Sequence, residues 1–239
     1  MAACPEKHDR GFGCTTEMTR RRHAGLFFTF EGIDGSGKTT QLQRLADYLG
    51  RLRLPFVATR EPGGTELGER IRRLLLPRAS AGMDPWTEVL LYFASRAQNV
   101  SQVILPALEQ GRIVLCDRFT DASLAYQGYG RGLDLGFIHQ LHRFACRGLQ
   151  PNLTFVIDIA PQESVHRARH RNTAATEDES RFEEEALAFH QRVRRGYRNL
   201  ARREPRRVKL VPGHDSVEVV HQRIIALARP LLARLRPEG

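Results

Sequence analysis

One segment near the amino end combines residue types that can hold a triphosphate. Residues 32–39 read Gly-Ile-Asp-Gly-Ser-Gly-Lys-Thr and match the pattern G-x-x-x-x-G-K-[ST] in full. The glycines let backbone N–H groups turn toward phosphate oxygens, and the positive end of a following helix attracts the same anion. Lys38 would then reach the β- and γ-phosphates, and the Thr39 hydroxyl would ligate Mg²⁺. The segment predicts a nucleoside-triphosphate site.

A carboxylate and a guanidinium stand side by side at the end of a later apolar run. Residues 112–117 predict a buried strand that ends in Asp117 and is followed by Arg118. Ligands of open α/β sheets bind at the carboxyl ends of the strands, so Asp117 is a candidate Mg²⁺ ligand. The adjacent Arg118 indicates a second anion, which means a phosphorylated acceptor. The chain has no N-K-x-D motif, which disfavours a GTPase switch, and the pair favours a small-molecule kinase.

The elements that must position these groups alternate along the chain. Apolar runs predict strands at 26–31, 56–59, 112–117, 153–159 and 207–211. Helical spacing predicts helices after the glycine-rich loop, from Asp84 toward Gln110 with a kink at Pro106, and at 137–147, 162–171, 182–203 and 216–234. We therefore expect an α/β fold, a three-layer P-loop sandwich in which helices flank a five-stranded parallel sheet.

Charge and composition limit the class of protein. The 239 residues carry a net charge of +10, of which residues 1–25 and 26–160 contribute +2 each and residues 161–239 contribute +6. Because the centre is nearly neutral, a nucleic-acid partner is not expected. No run approaches the ~18 apolar residues that cross a bilayer, so we expect no membrane contact. The four cysteines form no CxxC pair, which favours a cytoplasmic location.

Domain organisation follows from the same composition. Residues 1–25 lack the apolar segment of a secretory signal and predict a disordered extension, within which Met18 is a possible start. Residues 26–239 then form one domain, because 41% hydrophobic residues can build a sizeable core. Residues 172–180 are polar and predict a loop inside a mobile lid at about 161–185.

Several segments taken together resemble the thymidylate kinases of bacterial type. They are residues 30–40, 59–65, 90–96, 117–119 and 123–128, followed by a basic stretch after the fourth predicted strand. The resemblance covers about residues 26–235, in order and at consistent spacing. It implies transfer of the γ-phosphoryl group of ATP to dTMP, with Mg²⁺ as cofactor and a homodimer as the assembly. It also implies a cis proline at Glu61-Pro62.

The resemblance assigns a role to each matched residue. Arg118 would clamp the dTMP phosphate, Tyr92 would stack on thymine and Arg96 would donate to its O4. Ser123 would bond the pyrimidine edge, and Tyr126 would line the deoxyribose. The implied dTMP set is Asp34, Arg60, Tyr92, Arg96, Arg118, Ser123, Tyr126, Gln127 and Tyr197. The implied ATP set is Gly32, Ile33, Asp34, Gly35, Ser36, Gly37, Lys38, Thr39 and Thr40, with Thr39 and Asp117 on Mg²⁺.

The source of the transition-state arginine is a point on which family members differ. Some carry it in the phosphate loop, where this chain has Gly35, so here the lid must supply it. Arg169 and Arg171 are the catalytic candidates in the lid, beside Asp34, Lys38 and Arg118. Arg167 and Arg181 lie near them in sequence, and which arginine reaches the γ-phosphate stays open.

Two alternatives to a dTMP kinase remain at this point. One is a kinase for another nucleoside monophosphate or for a deoxynucleoside. The other is a non-catalytic P-loop regulator or DNA-binding protein, for which the high positive charge is the reason.

Overall fold

The computed structural model describes residues 23–164, 181–182 and 185–235. In these ranges five parallel strands form one sheet in the order β2-β3-β1-β4-β5. The strands are β1 (Phe27–Glu31), β2 (Phe56–Arg60), β3 (Ile113–Asp117), β4 (Leu153–Asp158) and β5 (Val208–Pro212). The predicted five-stranded parallel sheet is confirmed, and each predicted strand end lies within one residue of the observed one.

Helices connect the strands in sequence. They are α1 (Lys38–Arg51), α2 (Glu66–Leu75), α3 (Pro85–Asn99), α4 (Leu105–Glu109), α5 (Thr120–Ser123), α6 (Leu135–Ala145), α7 (Leu187–Arg203) and α8 (Val217–Leu232). Residues 161–164 are also helical. Two π-helical segments, Val100–Ile104 and Leu124–Gly130, continue α3 and α5, and short 3₁₀ turns lie at Arg78–Ser80 and Ala233–Leu235.

Two apolar layers sandwich the sheet, because successive strand side chains point to opposite faces. Phe28 and Phe30 of β1 pack with Leu45 of α1 and Ile224 of α8. Phe27 points the other way, into a core shared with α3, α6 and α7. The three-layer sandwich predicted from the sequence is therefore confirmed.

The helix that carries two predicted base-binding residues begins where expected. Asp84 accepts hydrogen bonds from the backbone N–H groups of Trp86 at 2.9 Å and Thr87 at 3.2 Å, and Pro85 occupies the first turn. The π-helical segment lies immediately before Pro106, which has no N–H and whose ring crowds the preceding turn. At the position of the predicted kink the helix widens into a π-helical turn, and it then continues as α4 to Glu109.

Three helical segments differ from the prediction. Helix α2 was not expected, because the Glu61–Gly64 turn residues hid its start at Thr65, whose hydroxyl accepts from Gly68 N at 3.0 Å. The helical stretch 120–130 was not expected either, since it is buried on nearly every side and has no solvent-exposed face. Helix α7 begins at Leu187 rather than at residue 182.

Two further predictions fall on residues that the structure does not describe. Residues 1–22 of the proposed extension 1–25 lie outside the described ranges, as do residues 165–180 and 183–184 of the proposed lid at about 161–185. Among the described residues, no helix is both long enough and apolar enough to span a bilayer.

Candidate active site

The phosphate loop joins the end of β1 to the start of α1. Gly35 and Gly37 adopt φ values of 75° and 94°, a left-handed conformation that side-chain-bearing residues rarely adopt. The carbonyl oxygen of Ile33 accepts from Ser36 N at 3.2 Å and from Lys38 Nζ at 3.0 Å. Among the described residues the buried Ser36 hydroxyl has no hydrogen-bond partner, and a Cβ at Gly37 would meet none of their atoms within 4 Å. This loop fits a triphosphate, whose oxygens would take these free positions.

Lys38 is buried beside both positive and negative neighbours. Burial and the Arg118 guanidinium lower the pKa of Lys38 to about 8, although Asp34, Asp117 and Glu31 oppose the shift. Phosphate oxygens at the loop would favour the charged amine again. Its bond to a main-chain carbonyl is one that a phosphate can replace.

Thr39 and Asp117 come from different elements and meet at the carboxyl edge of the sheet. The Thr39 hydroxyl donates to Asp117 Oδ2 at 2.6 Å. Both are hard oxygen ligands of the kind that Mg²⁺ accepts alongside water and phosphate oxygens. Within the described part of the chain, no group of three or more His, Cys, Asp or Glu side chains could hold a metal by itself. The pair therefore fits a cation that the nucleotide helps to bind.

Arg118 follows β3 with a φ of 70°, which is strained for a residue other than glycine. Its backbone N–H donates to Phe30 O at 3.0 Å, which ties the strained residue to β1. Its guanidinium donates to Gly32 O at 3.0 Å and to Asp34 Oδ1 at 2.6 Å. In this conformation the guanidinium lies against the phosphate loop.

Asp34 is the acid of the loop and the partner of Arg118. Its Oδ2 accepts from the Tyr126 hydroxyl at 2.9 Å, and its carbonyl oxygen accepts from the buried Ser164 hydroxyl. Burial raises the pKa of Asp34, but the nearby Arg118 and Lys38 outweigh burial and hold it well below its usual value. The carboxylate is therefore ionised and fixed by donors on two sides.

Glu31 lies beneath this group and was not among the predicted site residues. It accepts from the Tyr197 hydroxyl at 2.7 Å and from Phe119 N at 2.7 Å. Tyr197 in turn accepts from Arg118 Nη1 at 3.3 Å. Burial and the charge of Asp121 raise the pKa of Glu31 to about 8. The sequence could have indicated Glu31 as a site residue, because it is the last residue of β1 and directly precedes the phosphate loop.

Arg96 occupies the other end of the site and is almost fully buried, with 1% of its surface exposed. Its Nε donates to Glu61 Oε2 at 2.5 Å, its Nη1 to Ser123 Oγ at 3.0 Å and its Nη2 to Phe119 O at 3.1 Å. The Glu61-Pro62 peptide bond is cis, as the resemblance predicted. These bonds fix the guanidinium in one orientation.

Two helical faces meet beside Arg96. Tyr92 lies one turn before Arg96 on α3 and is half-buried. Opposite it, Gln127 lies one turn after Ser123 and donates from Nε2 to Glu88 Oε1 at 2.8 Å. The predicted residues Tyr92, Arg96, Ser123 and Gln127 therefore belong to one neighbourhood.

Comparisons with known proteins point to one family. The sequence profile of thymidylate kinases matches residues 30–224. The thymidylate kinase of Syntrophotalea carbinolica is 51% identical over 200 residues, which cover 83% of this chain and 93% of that protein. The thymidylate kinase of Desulfovibrio desulfuricans is 49% identical over 216 residues, with coverages of 90% and 98%. This chain belongs to the thymidylate kinase family.

A solved structure agrees with the family assignment. The crystal structure of thymidylate kinase from Ehrlichia chaffeensis superposes with a TM-score of 0.69 at 36% identity. The match covers 85% of this chain and 98% of that one. The likeness extends to the whole P-loop sandwich, so the family fold is shown as well as the family sequence.

Not every predicted residue joins the group. Arg60 lies at the same sheet edge, but its side chain is half-exposed and pairs with Glu69 at 2.9 Å. Arg169 and Arg171, the catalytic candidates of this family member, lie outside the described residues, as does Arg167. Their roles stay predictions.

Arg181 belongs to the proposed lid and is buried. In the sequence it follows the polar residues 172–180, and which arginine reaches the γ-phosphate was left open. The structure buries it to 4% exposure and pairs its Nη2 with Glu88 at 2.6 Å, while Nη1 donates to Leu75 O at 3.0 Å. The Arg181 guanidinium is thus bonded to Glu88 and to a main-chain carbonyl inside the protein.

Proposed function

We propose that the protein transfers the γ-phosphoryl group of ATP to dTMP, giving ADP and dTDP, a step toward dTTP for DNA synthesis. The observation that carries this proposal is the 2.6 Å contact between Arg118 and Asp34 of the phosphate loop. It puts a cation suited to an acceptor phosphate next to the loop suited to the donor. Membership in the thymidylate kinase family supports the same reaction.

The phosphate chemistry follows from groups that hold and neutralise charge. Lys38 exchanges the Ile33 carbonyl for the β- and γ-phosphates, and Arg118 clamps the acceptor phosphate with parallel N–H donors. An oxygen of that phosphate attacks the γ-phosphorus. The bond from the γ-phosphorus to the bridging oxygen breaks, and its electron pair leaves with ADP. Asp34 keeps Arg118 directed at the point of transfer.

Thr39 and Asp117 would hold Mg²⁺ at this point, and the ion supplies charge neutralisation for the phosphoryl oxygens. The donor set supports a cation with few protein ligands, which is the usual arrangement for Mg²⁺ on nucleotides. Asp117 at the end of β3 fixes the Thr39 hydroxyl at the first turn of α1 before any ligand arrives.

Base recognition rests on donors whose other bonds are already made. Each Nη group of Arg96 carries one further N–H beyond those given to Ser123 and Phe119, so it can donate to a carbonyl such as O4 of thymine. Tyr92 stacks on the ring. Tyr126, which is 5% exposed and bonded to Asp34, would line the sugar and so favour a deoxyribose over a ribose.

The lid arginines complete the proposal. Gly35 supplies no cation in the phosphate loop, so Arg169 or Arg171 closes over the γ-phosphate and offsets the charge that develops in transfer. Replacing each by alanine separates them, because only the arginine that acts in the transition state lowers kcat without raising KM for ATP.

A homodimer is the proposed assembly. Leu67 and Leu74 lie seven residues apart on one face of α2 and expose 48% and 57% of their surfaces. Leu90 of the adjacent α3 is 51% exposed, so apolar side chains cluster on this pair of helices. Sedimentation of wild type and Leu74→Glu tests the proposal: the variant should be monomeric at concentrations where the wild type is a dimer.

Location and the amino-terminal residues are part of the same proposal. We place the protein in the cytoplasm, where its nucleotide substrates are made, and the buried free thiols of Cys116 and Cys146 suit a reducing compartment. The match to the family begins at residue 30. Deleting residues 1–17, so that translation starts at Met18, should therefore leave turnover within about twofold of the full chain.

The acceptor panel tests the proposed function. ADP formation from ATP is measured with dTMP, dUMP, dCMP and dGMP at equal concentrations, and dTDP is identified among the products. We expect dTMP to have the highest kcat/KM, with dGMP at least about 10²-fold lower. Comparable turnover of dTMP and dGMP would contradict the proposal. DNA affinity that persists at physiological salt without phosphoryl transfer would favour the DNA-binding alternative.

A further inference from the structure

A buried carboxylate without an assigned role lies beside the residues proposed to bind the base. Glu88 is on α3, four residues before Tyr92 and eight before Arg96, so the three share one helix face. It is fully buried. Its carboxylate accepts from Gln127 Nε2 at 2.8 Å, from Arg181 Nη2 at 2.6 Å and from Arg131 Nη2 at 3.3 Å.

These contacts dictate which way the Gln127 amide points. A carboxylate flanked by two guanidinium groups offers only acceptor atoms, so the amide nitrogen of Gln127 must face it. The amide oxygen then points away from Glu88 and receives no hydrogen bond from the described residues. Gln127 is 2% exposed, so its amide cannot simply exchange its partners for bulk water.

The orientation of the Gln127 amide matters because Glu88 and Gln127 lie close to Arg96. Arg96 bonds Ser123, and Glu88 bonds Gln127 one turn further along the opposite segment. Tyr92 lies between the two pairs on α3. The ring proposed to stack on the base is thus bracketed by a guanidinium at one end and by the Gln127 amide at the other.

We infer that Glu88 is a positioning residue for base selection: it holds Gln127 so that the amide oxygen, rather than the nitrogen, faces N3 of the pyrimidine. The inference rests on the proposed dTMP site. Thymine presents a donor at N3 and an acceptor at O4, whereas cytosine presents an acceptor at N3 and a donor at its exocyclic nitrogen. Arg96 as donor and Gln127 as acceptor match thymine at both positions and oppose cytosine at both.

Glu88→Gln tests the inference, because an amide can donate or accept and so lets Gln127 present either end. We expect the ratio of kcat/KM for dTMP to that for dCMP to fall at least about tenfold. The ratio of dTMP to dUMP should stay within about twofold, because uracil has the same N3–H and O4. Ratios measured on one preparation do not depend on the fraction of protein that folds.

The exchange variant Glu88→Gln with Gln127→Glu supplies a rescue. It keeps the charge of the cluster and returns a fixed acceptor to position 127, so most of the lost dTMP-to-dCMP ratio should be recovered. Glu185→Gln is the matched control: Glu185 pairs with Arg131 at 2.5 Å, and no bond joins it to Gln127. This control should keep the wild-type ratio. The inhibition constant of dCMP against dTMP is measured alongside, so that slow dCMP turnover does not hide a change.

Three results would overturn the inference. The first is an unchanged dTMP-to-dCMP ratio in Glu88→Gln. The second is an equal fall in the dTMP-to-dUMP ratio, which would indicate general collapse of the pocket. The third is an exchange variant no better than the single one. Wild-type protein that failed to phosphorylate dTMP would instead sink the proposed function, so the two failures are distinguishable.

Discussion

Two regions of the site hold their arginines by different means. In the phosphate region, formed by residues 32–39 with Arg118, the Arg118 side chain is 15% exposed and donates to a main-chain carbonyl and to Asp34, itself 24% exposed. In the base region, formed by Glu61, Glu88, Arg96, Ser123 and Gln127, Arg96 is 1% exposed and paired with an equally buried Glu61. The first arginine can exchange partners with a ligand, and the second cannot.

The backbone conformations of the two regions also differ. Gly35, Gly37 and Arg118 all have positive φ values, so the phosphate region depends on loop conformations that favour close approach of a ligand. Apart from Glu61, which lies in the turn after β2, the base region stands on regular and π-helical turns whose side chains bond one another across two helical segments. A charged ligand is thus met by groups that keep replaceable partners, and a neutral ring is met by groups that are already fixed.

Lys38→Met should have the largest effect. Loss of the amine removes the charge that stabilises the transferred phosphoryl group, and kcat should fall at least about 10³-fold. If the two regions act independently, the dissociation constant of dTMP should change less than about threefold. Steady-state kinetics and calorimetric titration with dTMP measure the two quantities. Equal losses in kcat and in dTMP affinity would show that the regions are not separable.

Arg96→Met should have the second-largest effect, which is a loss of stability. It leaves Glu61 buried without its cation, which should lower the free energy of unfolding by about 3–5 kcal/mol. Urea unfolding checks this value, and the double variant with Glu61→Gln should recover most of it. Arg118→Met should lower the free energy of unfolding by less, because the Asp34 side chain is partly exposed to water. A larger loss for Arg118→Met than for Arg96→Met would reverse the comparison.

Arg118→Ala should lower kcat/KM for dTMP by about 10²–10³-fold, because the acceptor phosphate loses a bidentate clamp. ATP affinity should stay within about threefold of the wild type. Arg118→Lys is the matched control and should recover only part of the loss, since an ammonium lacks the planar fork. Wild-type turnover in either variant would remove Arg118 from the phosphate region.

Glu31→Gln should have the smallest effect, and one that depends on pH. Burial raises the pKa of Glu31 from 4.5 to about 8, so between these values the folded protein keeps a proton that the unfolded chain releases. The wild type should therefore lose stability relative to Glu31→Gln as the pH rises from about 4.5 to about 8, by at least about 1 kcal/mol. Urea unfolding of both proteins at pH 5 and pH 8 measures it. A difference that stays constant with pH contradicts the prediction.

More of the phosphate region than of the base region could be predicted from the sequence, and the reason is physical. Residues 32–39 and Arg118 follow directly from a local motif and a strand end, and apolar runs located all five strands. The bonds of Arg96 to Glu61 and of Gln127 to Glu88 join residues 35 and 39 positions apart, and no local pattern reports them.

Particular misses have particular causes. Glu88 stands eight residues before Arg96 on the same face of α3, and that spacing could have singled it out. The burial of Arg181 could not be predicted locally, because its partner Glu88 lies 93 residues earlier in the chain. The stretch 120–130 is buried almost throughout, so it lacks the exposed face by which a surface helix is recognised in a sequence.

Equilibrium binding of thymidine and dTMP tests the division between the two regions most directly. Calorimetric titrations of both ligands are carried out on the wild type and on Arg118→Ala. The wild type should bind dTMP at least about tenfold more tightly than thymidine, and the variant should lose most of that advantage while its thymidine affinity stays within about twofold. If Arg118→Ala weakened thymidine as much as dTMP, the separate roles of the phosphate region and the base region would be contradicted.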